Sequence, residues 1–203
     1  MNEINNFAEL RSHYKDVDPL ALAKVQSKLD QYCRQFISIS PFLVLATSAA
    51  DGTTDASPRG DAPGFVAILD DHTLLLPDRP GNRRVDSFHN VLSSPGVGLL
   101  FFVSGLPETP RVNGIALLIT DVEMLKPSAV QGKQPISGLL IEVTEAFFHC
   151  GKALIRSRLW DKEIQTPRSS FPSLGQILAD QTHAMEGKEA DVFVERAYRT
   201  TLY

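Results

Sequence analysis

The sequence predicts a mainly β, α+β domain: an antiparallel barrel of six or seven strands with flanking helices. Three observations predict it. Seven apolar or alternating runs lie between Phe42 and Cys150. Turn-forming groups, among them "AADG", Asp-Asp, Pro-Gly and "PETP", separate them. The connections are mostly too short for the crossover helices that parallel strands require, which argues against a doubly wound sheet.

Taken in order, "DPLALAKVQSKLDQYCRQF" reads as one helix that covers the sheet. Asp18 suits the N-cap and Pro19 the first helical position, and Leu22, Val25, Leu29, Cys33 and Phe36 recur as one apolar stripe. "FLVLATS" is a strand, "AADG" its turn and "TTDASPRG" the returning strand. "GFVAILD" and "HTLLLP" follow as two more strands. "NRRVDSFHNVLSS" interrupts the series as a short helix with Val85, Phe88, Val91 and Leu92 on one side. "VGLLFFV", "RVNGIALLIT" and "GLLIEVTEAFFHC" complete the strands. "KALIRSRLW" and "SLGQILADQTHAM" read as late helices, and "VFVERAYRTTLY" as a tail. The expected organisation is a single domain over 1–203, with a helical extension at 1–40, a barrel core at 41–160, and a C-terminal helix and tail at 161–203.

Composition narrows the function. A chain of 203 residues can bury a real core, and 43% hydrophobic with 22% charged residues is ordinary globular usage. A net charge of −4 argues against the broad basic face of a nonspecific nucleic-acid binder. No apolar run is long enough to span a bilayer, and the N-terminal segment lacks a secretory pattern, so a cytoplasmic protein is expected. Cys33 and Cys150 are too few for a disulfide framework or a closed zinc site, and both read as reduced, mostly buried thiols. His13, His72, His89, His149 and His183 show no metal-ligand spacing, so no metal is expected. No nucleophile elbow is present, and no catalytic residue is assigned.

The cations are unevenly placed. No lysine occurs between Lys28 and Lys126, and from the first strand onward that interval carries Arg59, Arg79, Arg83, Arg84 and Arg111. A guanidinium grips phosphate or carboxylate with a planar fork, whereas an ammonium is a mobile point charge. Arg79, Arg83 and Arg84 fall in the turn and first helical turn of "DRPGNRRVDSFHN", and a helix N-terminus favours an anion. Asn82 and Ser87 add hydrogen-bond donors, so a phosphate suits the cluster. Pairing of these arginines with Asp55, Asp61, Asp78 and Asp86 on a solvated surface is the competing reading.

The motifs "SPRGD", "DRPGNRRVDS" and "RVNG", within a stretch from about Phe42 to Trp160, resemble the FMN-binding split-barrel proteins related to pyridoxamine 5′-phosphate oxidase. The resemblance implies a homodimer of split barrels with FMN in each of two interface clefts. It places Arg59 near the flavin or its phosphate, and Asn82, Arg83, Arg84 and Ser87 in the phosphate cradle, with Arg79 beside them. Pro77 and Asp78 would pass the flavin edge, Arg111 would reach the cofactor or the partner's cleft, and His149, Cys150 and Lys152 would approach the cleft. Arg59 or Lys152 would stabilise charge on reduced flavin. Trp160 would cap the ring or pack at the dimer interface. "VERAYRTTLY" has no clear equivalent of the arginine and histidine with which the oxidase itself holds its product, so oxidation of pyridoxamine phosphate is not expected.

Three functions therefore compete. The first is an FMN-dependent oxidoreductase acting on a small molecule, with NAD(P)H or another carrier as electron source. The second is a flavin-binding or storage module without a substrate. The third is a split barrel that binds another ligand, such as haem or a deazaflavin.

Overall fold

The computed structural model describes residues 2–14 and 16–203. Its centre is one seven-stranded antiparallel sheet: β1 (Phe42–Ser48), β2 (Thr54–Gly60), β3 (Ala67–Ile68), β4 (Thr73–Pro77), β5 (Gly96–Phe102), β6 (Thr109–Ile119) and β7 (Gly138–His149). The strand order is β2-β1-β5-β6-β7-β4-β3, so β2 and β3 are the two free edges of a split barrel. Alternation buries one face. Leu43, Leu45, Leu74, Leu76, Leu99, Phe101, Val112, Leu139 and Ile141 form the core beneath it.

Among the described residues, eight α-helices surround the sheet. They are α1 (Phe7–Ser12), α2 (Pro19–Ala23), α3 (Gln31–Ile39), α4 (Asp86–Ser93), α5 (Val122–Leu125), α6 (Lys152–Ser157), α7 (Leu174–Thr182) and α8 (Gly187–Thr200). Cys33, Phe36 and Ile37 of α3 and Phe88 and Val91 of α4 enter the core. Among the described residues no helix is long and apolar enough to cross a membrane.

The glycine of "RVNG" has a steric reason. The β6–β7 register shifts between Asn113 and Gly114. A Cβ on Gly114 would collide with the Glu142 carbonyl oxygen and lie 2.8 Å from Ile141 Cγ2. The bulge needs a residue without a side chain.

Five expectations need correction. The helix expected from Asp18 to Phe36 is two helices, because Gln26 leaves the helical path and exchanges both backbone hydrogen bonds with Ala146 of β7, at 3.0 and 2.8 Å. Asp30 then caps a new helix by accepting the Cys33 N–H at 2.7 Å, and Leu22 and Val25 stay exposed. "GFVAILD" yields only a two-residue strand, since Gly64 has φ +82° and Phe65 donates to Ala62 O in a turn. The helix in "NRRVDSFHNVLSS" begins only at Asp86. Arg83 (φ 62°) and Val85 (φ 55°) are left-handed, which keeps both arginines out of the helix, and Val85 and Leu92 are exposed. The tail is helix α8, whose buried Ala190 packs in the α7–α8 hairpin against Gly175. Cys33 is buried as expected, but Cys150 is exposed, because it follows the end of β7 rather than lying in it.

Candidate functional site

The site begins with the alternation of "TDASPRG". Asp55, Ser57 and Arg59 share one face of β2, opposite Thr47, Leu45 and Leu43 of β1. That face is the core face, and β2 is an edge strand, so the first turn of α4 covers the three polar side chains. Ser87, buried at 2% exposure, donates to Asp55 Oδ2 at 2.5 Å, meets Ser57 Oγ at 3.0 Å and accepts from Arg59 Nη2 at 3.1 Å. Arg59 Nε donates to Ser57 Oγ at 3.3 Å, and Nη1 reaches Asp78 Oδ1 at 3.5 Å. Its guanidinium lies 5.5 Å from the Phe88 ring centroid, within cation–π range. A fully engaged arginine is a rigid one.

A second arginine–aspartate pair stands beside the first. Arg79 Nε donates to Asp61 Oδ2 at 2.5 Å and Nη1 to Ser128 O at 2.8 Å. Burial pushes the Asp61 carboxyl up, but hydrogen bonds from the Tyr203 hydroxyl and the Ala62 N–H, with the Arg79 charge, overcome it and leave it below its usual range. Asp78 behaves oppositely. Burial pushes it up, and the charges of Arg59 and Arg79 only partly offset this.

The loop between these pairs and α4 is basic and strained. Asn82 Oδ1 accepts the Arg84 N–H at 3.1 Å, and Arg84 Nε pairs with Asp86 at 2.7 Å on the exposed surface. The N-cap position of α4, Val85, makes no side-chain cap bond.

Arg111 lies elsewhere. It points to the face of β6 opposite Val112, where it pairs with Glu145 at 2.9 Å and stacks 4.4 Å from the Phe147 centroid. Asn113 also donates to Glu145, and the Arg111 Nε is buried with no partner among the described residues. His149 follows along β7, its pKa lowered by burial and by the charges of Arg111 and Lys24. The Cys150 thiol is lowered by the Lys152 backbone N–H and by the charges of Lys152 and Lys24. Trp160 donates to Leu106 O at 2.8 Å.

The structure thus joins Arg59, Asp78 and Ser87 directly and sets Arg79 next to them in sequence. Asn82, Arg83 and Arg84 follow on the adjoining loop. Pro77 is buried in β4 opposite Gly138. Arg111 is on the other sheet face, and Cys150 and Lys152 flank the end of β7. Asp55 and Ser57 were not assigned roles in the site by sequence, although their spacing of four and two residues from Arg59, which puts all three on one strand face, carried the signal. Glu145 and Phe147, which hold Arg111, had no such local signal. A hollow of about 510 Å³ in the α7–α8 elbow, lined by Gln176, Asp180, His183 and Glu186 among others, is separate from these arginines. Among the described residues no group of three or more histidine, cysteine or acidic side chains is placed to hold a metal.

With this geometry in hand, residues 29–150 match the family described as pyridoxamine 5′-phosphate oxidase. The chain belongs to that family. No curated protein matches it in sequence. Among solved structures it is similar to HupZ of Group A Streptococcus, with 17% identity over 59% of this chain and 93% of that one, at a TM-score of 0.49. It is also similar to General Stress Protein 26 of Bacillus anthracis strain Sterne (16% identity, 57% and 88% covered, TM-score 0.42). A third is an FMN-binding protein of Syntrophomonas wolfei (9% identity, 70% and 95% covered, TM-score 0.43). The oxidase-family match contains every arginine of the two Arg–Asp pairs and the loop, and Arg111 as well.

The donor set fits a phosphate-bearing cofactor unevenly. The Ser87 hydroxyl is buried and already shared among Asp55, Ser57 and Arg59, so it orders Arg59 rather than offering a free donor. Arg83, exposed and unpaired among the described residues, the Nδ2 of Asn82, the terminal nitrogens of Arg84, the uncapped N-terminus of α4 and the remaining Nη2 of Arg79 are the available donors. Four arginines in this region answer four aspartates, so an anion here is received by local geometry rather than by a net positive field.

Proposed function

We propose that the chain binds FMN, with the phosphate taken by Arg79, Arg83, Arg84, Asn82 and the N-terminus of α4, and that it serves as an FMN-dependent oxidoreductase for a small molecule. The observation that carries this reading is the placement of the Arg59–Asp78 and Arg79–Asp61 pairs at the split of the barrel, beside a basic loop that leads into an uncapped helix. Helix N-terminal N–H groups and arginine forks are the natural receivers of a phosphate monoester.

When bound, FMN supplies hydride or electron transfer, and the protein supplies orientation and electrostatics. Arg59 is held by Ser57, Ser87 and Asp78, so its charge is fixed before any ligand arrives. Ser87 and Asp55 keep that arginine in place. Asp78 is shifted upward by burial, which the charges of Arg59 and Arg79 only partly offset, so of Asp61 and Asp78 it is the one more inclined to hold a proton.

The assembly we infer is a homodimer. Ile115 and Leu117 on β6, and Ile155 and Leu159 after β7, leave apolar surface exposed on the monomer, and a two-fold partner would cover it. Two unpaired cysteines agree with a reducing, cytoplasmic setting.

The test is mass spectrometry of the small molecule released on denaturing the purified protein. FMN is expected, and haem or a deazaflavin in its place would overturn the assignment. Arg59→Ala should then weaken FMN binding about ten-fold or more, as expected when a charged hydrogen-bonding group is lost. Rapid bleaching by NADH or NADPH under anaerobic conditions, followed by reoxidation with an added acceptor, would distinguish an oxidoreductase from a storage module.

A further inference from the structure

Tyr203 is 142 residues from Asp61 in sequence, yet its hydroxyl donates to Asp61 Oδ1 at 2.7 Å. Its backbone oxygen accepts from Lys133 Nζ at 2.7 Å, which holds the residue from a second direction. Asp61 divides its two oxygens. Oδ1 takes the Tyr203 hydroxyl and the Ala62 N–H, and Oδ2 takes Arg79 Nε. The Asp61 side chain is only 2% exposed, so water does not compete for these bonds. Arg79 is then fixed by Asp61 at Nε and by Ser128 O at Nη1, and only Nη2 is without a partner among the described residues.

The geometry points to Tyr203 as a positioning residue, which fixes Arg79 through Asp61 so that the remaining guanidinium nitrogen faces a phosphate-bearing ligand. This rests on the FMN reading and adds a residue that lies outside the segment matching the family. The physical reason is order. An arginine with two anchored nitrogens loses little side-chain freedom when the third engages an anion, whereas a loose one loses several rotamers on binding. Without the Tyr203 hydroxyl, Oδ1 of a nearly inaccessible carboxylate keeps only one donor. Asp61 can then turn its second oxygen toward Arg79 and draw the guanidinium into a bidentate pair.

The experiment compares wild type with Tyr203→Phe, using FMN and riboflavin as probes. Riboflavin has the same ring without the phosphate. Tyr203→Phe is expected to lower FMN affinity about ten-fold while riboflavin affinity stays the same, since a hydrogen bond to a charged group has that order of effect. The phosphorus NMR resonance of bound FMN should shift in the variant, a signature that a merely structural role would not produce. In combination with Arg79→Met, the two losses should fall short of adding, because both act through one guanidinium. Equal loss for both flavins, or full additivity with Arg79→Met, overturns the positioning role and leaves the FMN reading intact. Wild-type protein that binds neither flavin overturns the FMN reading and this inference with it.

Discussion

Ser87 donates its hydroxyl hydrogen to Asp55 across 2.5 Å, and that bond ties the first turn of α4 to the edge strand β2. It is also the platform on which Arg59 rests, since the same oxygen accepts from Arg59 Nη2. Ser87→Ala leaves Asp55 without its donor and Arg59 with one fewer acceptor in a place that water scarcely reaches. The expected cost is about 1–3 kcal/mol, read as a lower midpoint in urea unfolding with an unchanged slope. A loss below about 0.5 kcal/mol would mean that water replaces the hydroxyl there.

The two aspartates should respond to pH in opposite senses. The folded-state pKa of Asp61 is lowered, so its stabilising contribution is complete above the unfolded value of about 4 and is lost as pH falls through the folded one. Wild type and Asp61→Asn should therefore differ in stability by a constant amount from about pH 7 to 5 and converge below about pH 4. The folded-state pKa of Asp78 is raised, so its contribution is greatest below the unfolded pKa and declines as pH rises through the folded value. Asp78→Asn should gain on wild type over that rise. Denaturant titrations at a series of pH values check both signs.

The two thiols should separate in reactivity. Burial, with the Asp30 charge and hydrogen bond, pushes Cys33 up to about 12, whereas Cys150 is exposed and shifted downward. Since the thiolate is the reactive form, native protein near pH 8 should take one equivalent of iodoacetamide quickly, at Cys150. Denatured protein should take two. Peptide mass spectrometry assigns the sites, and fast native labelling at Cys33 would contradict the packing of α3.

Val85 is β-branched and sits at φ 55°, a conformation that such residues rarely adopt and that costs of order 1–3 kcal/mol. Val85→Gly removes the steric strain while loosening the unfolded chain. The net expectation is a gain of up to about 1 kcal/mol in ligand-free protein, measured by thermal unfolding. A clear loss would show that the exposed valine side chain has a packing role.

Much of the barrel was legible because period-two alternation and turn residues are local signals. β1, β2, β4, β5, β6 and β7 each coincide with a run visible in the sequence. The failures come from non-local forces. Gln26 looks helical by its neighbours but is drawn into a bridge with Ala146, and no local pattern announces that pairing. Val85 and Arg83 are left-handed without being glycine, so nothing in the sequence marks where α4 begins. The site divides in the same way. Arg59 stood out as a cation in a strand-end motif, whereas its supports Ser57 and Asp55 became evident only once the chain brought α4 over β2. Arg111 could be singled out by its motif, but the face it occupies follows from the β6 pleat and its pairing with Glu145.

The split between β2 and the β4–β3 hairpin gives the molecule a mechanical property. Every other strand boundary is laced by main-chain ladders, which yield only by tearing several bonds at once. This one is bridged by two side-chain clasps, Arg59 to Asp78 and Arg79 to Asp61. Both arginines are anchored from more than one side, so the width of this gap is set by side-chain pairing while the rest of the sheet is set by backbone pairing.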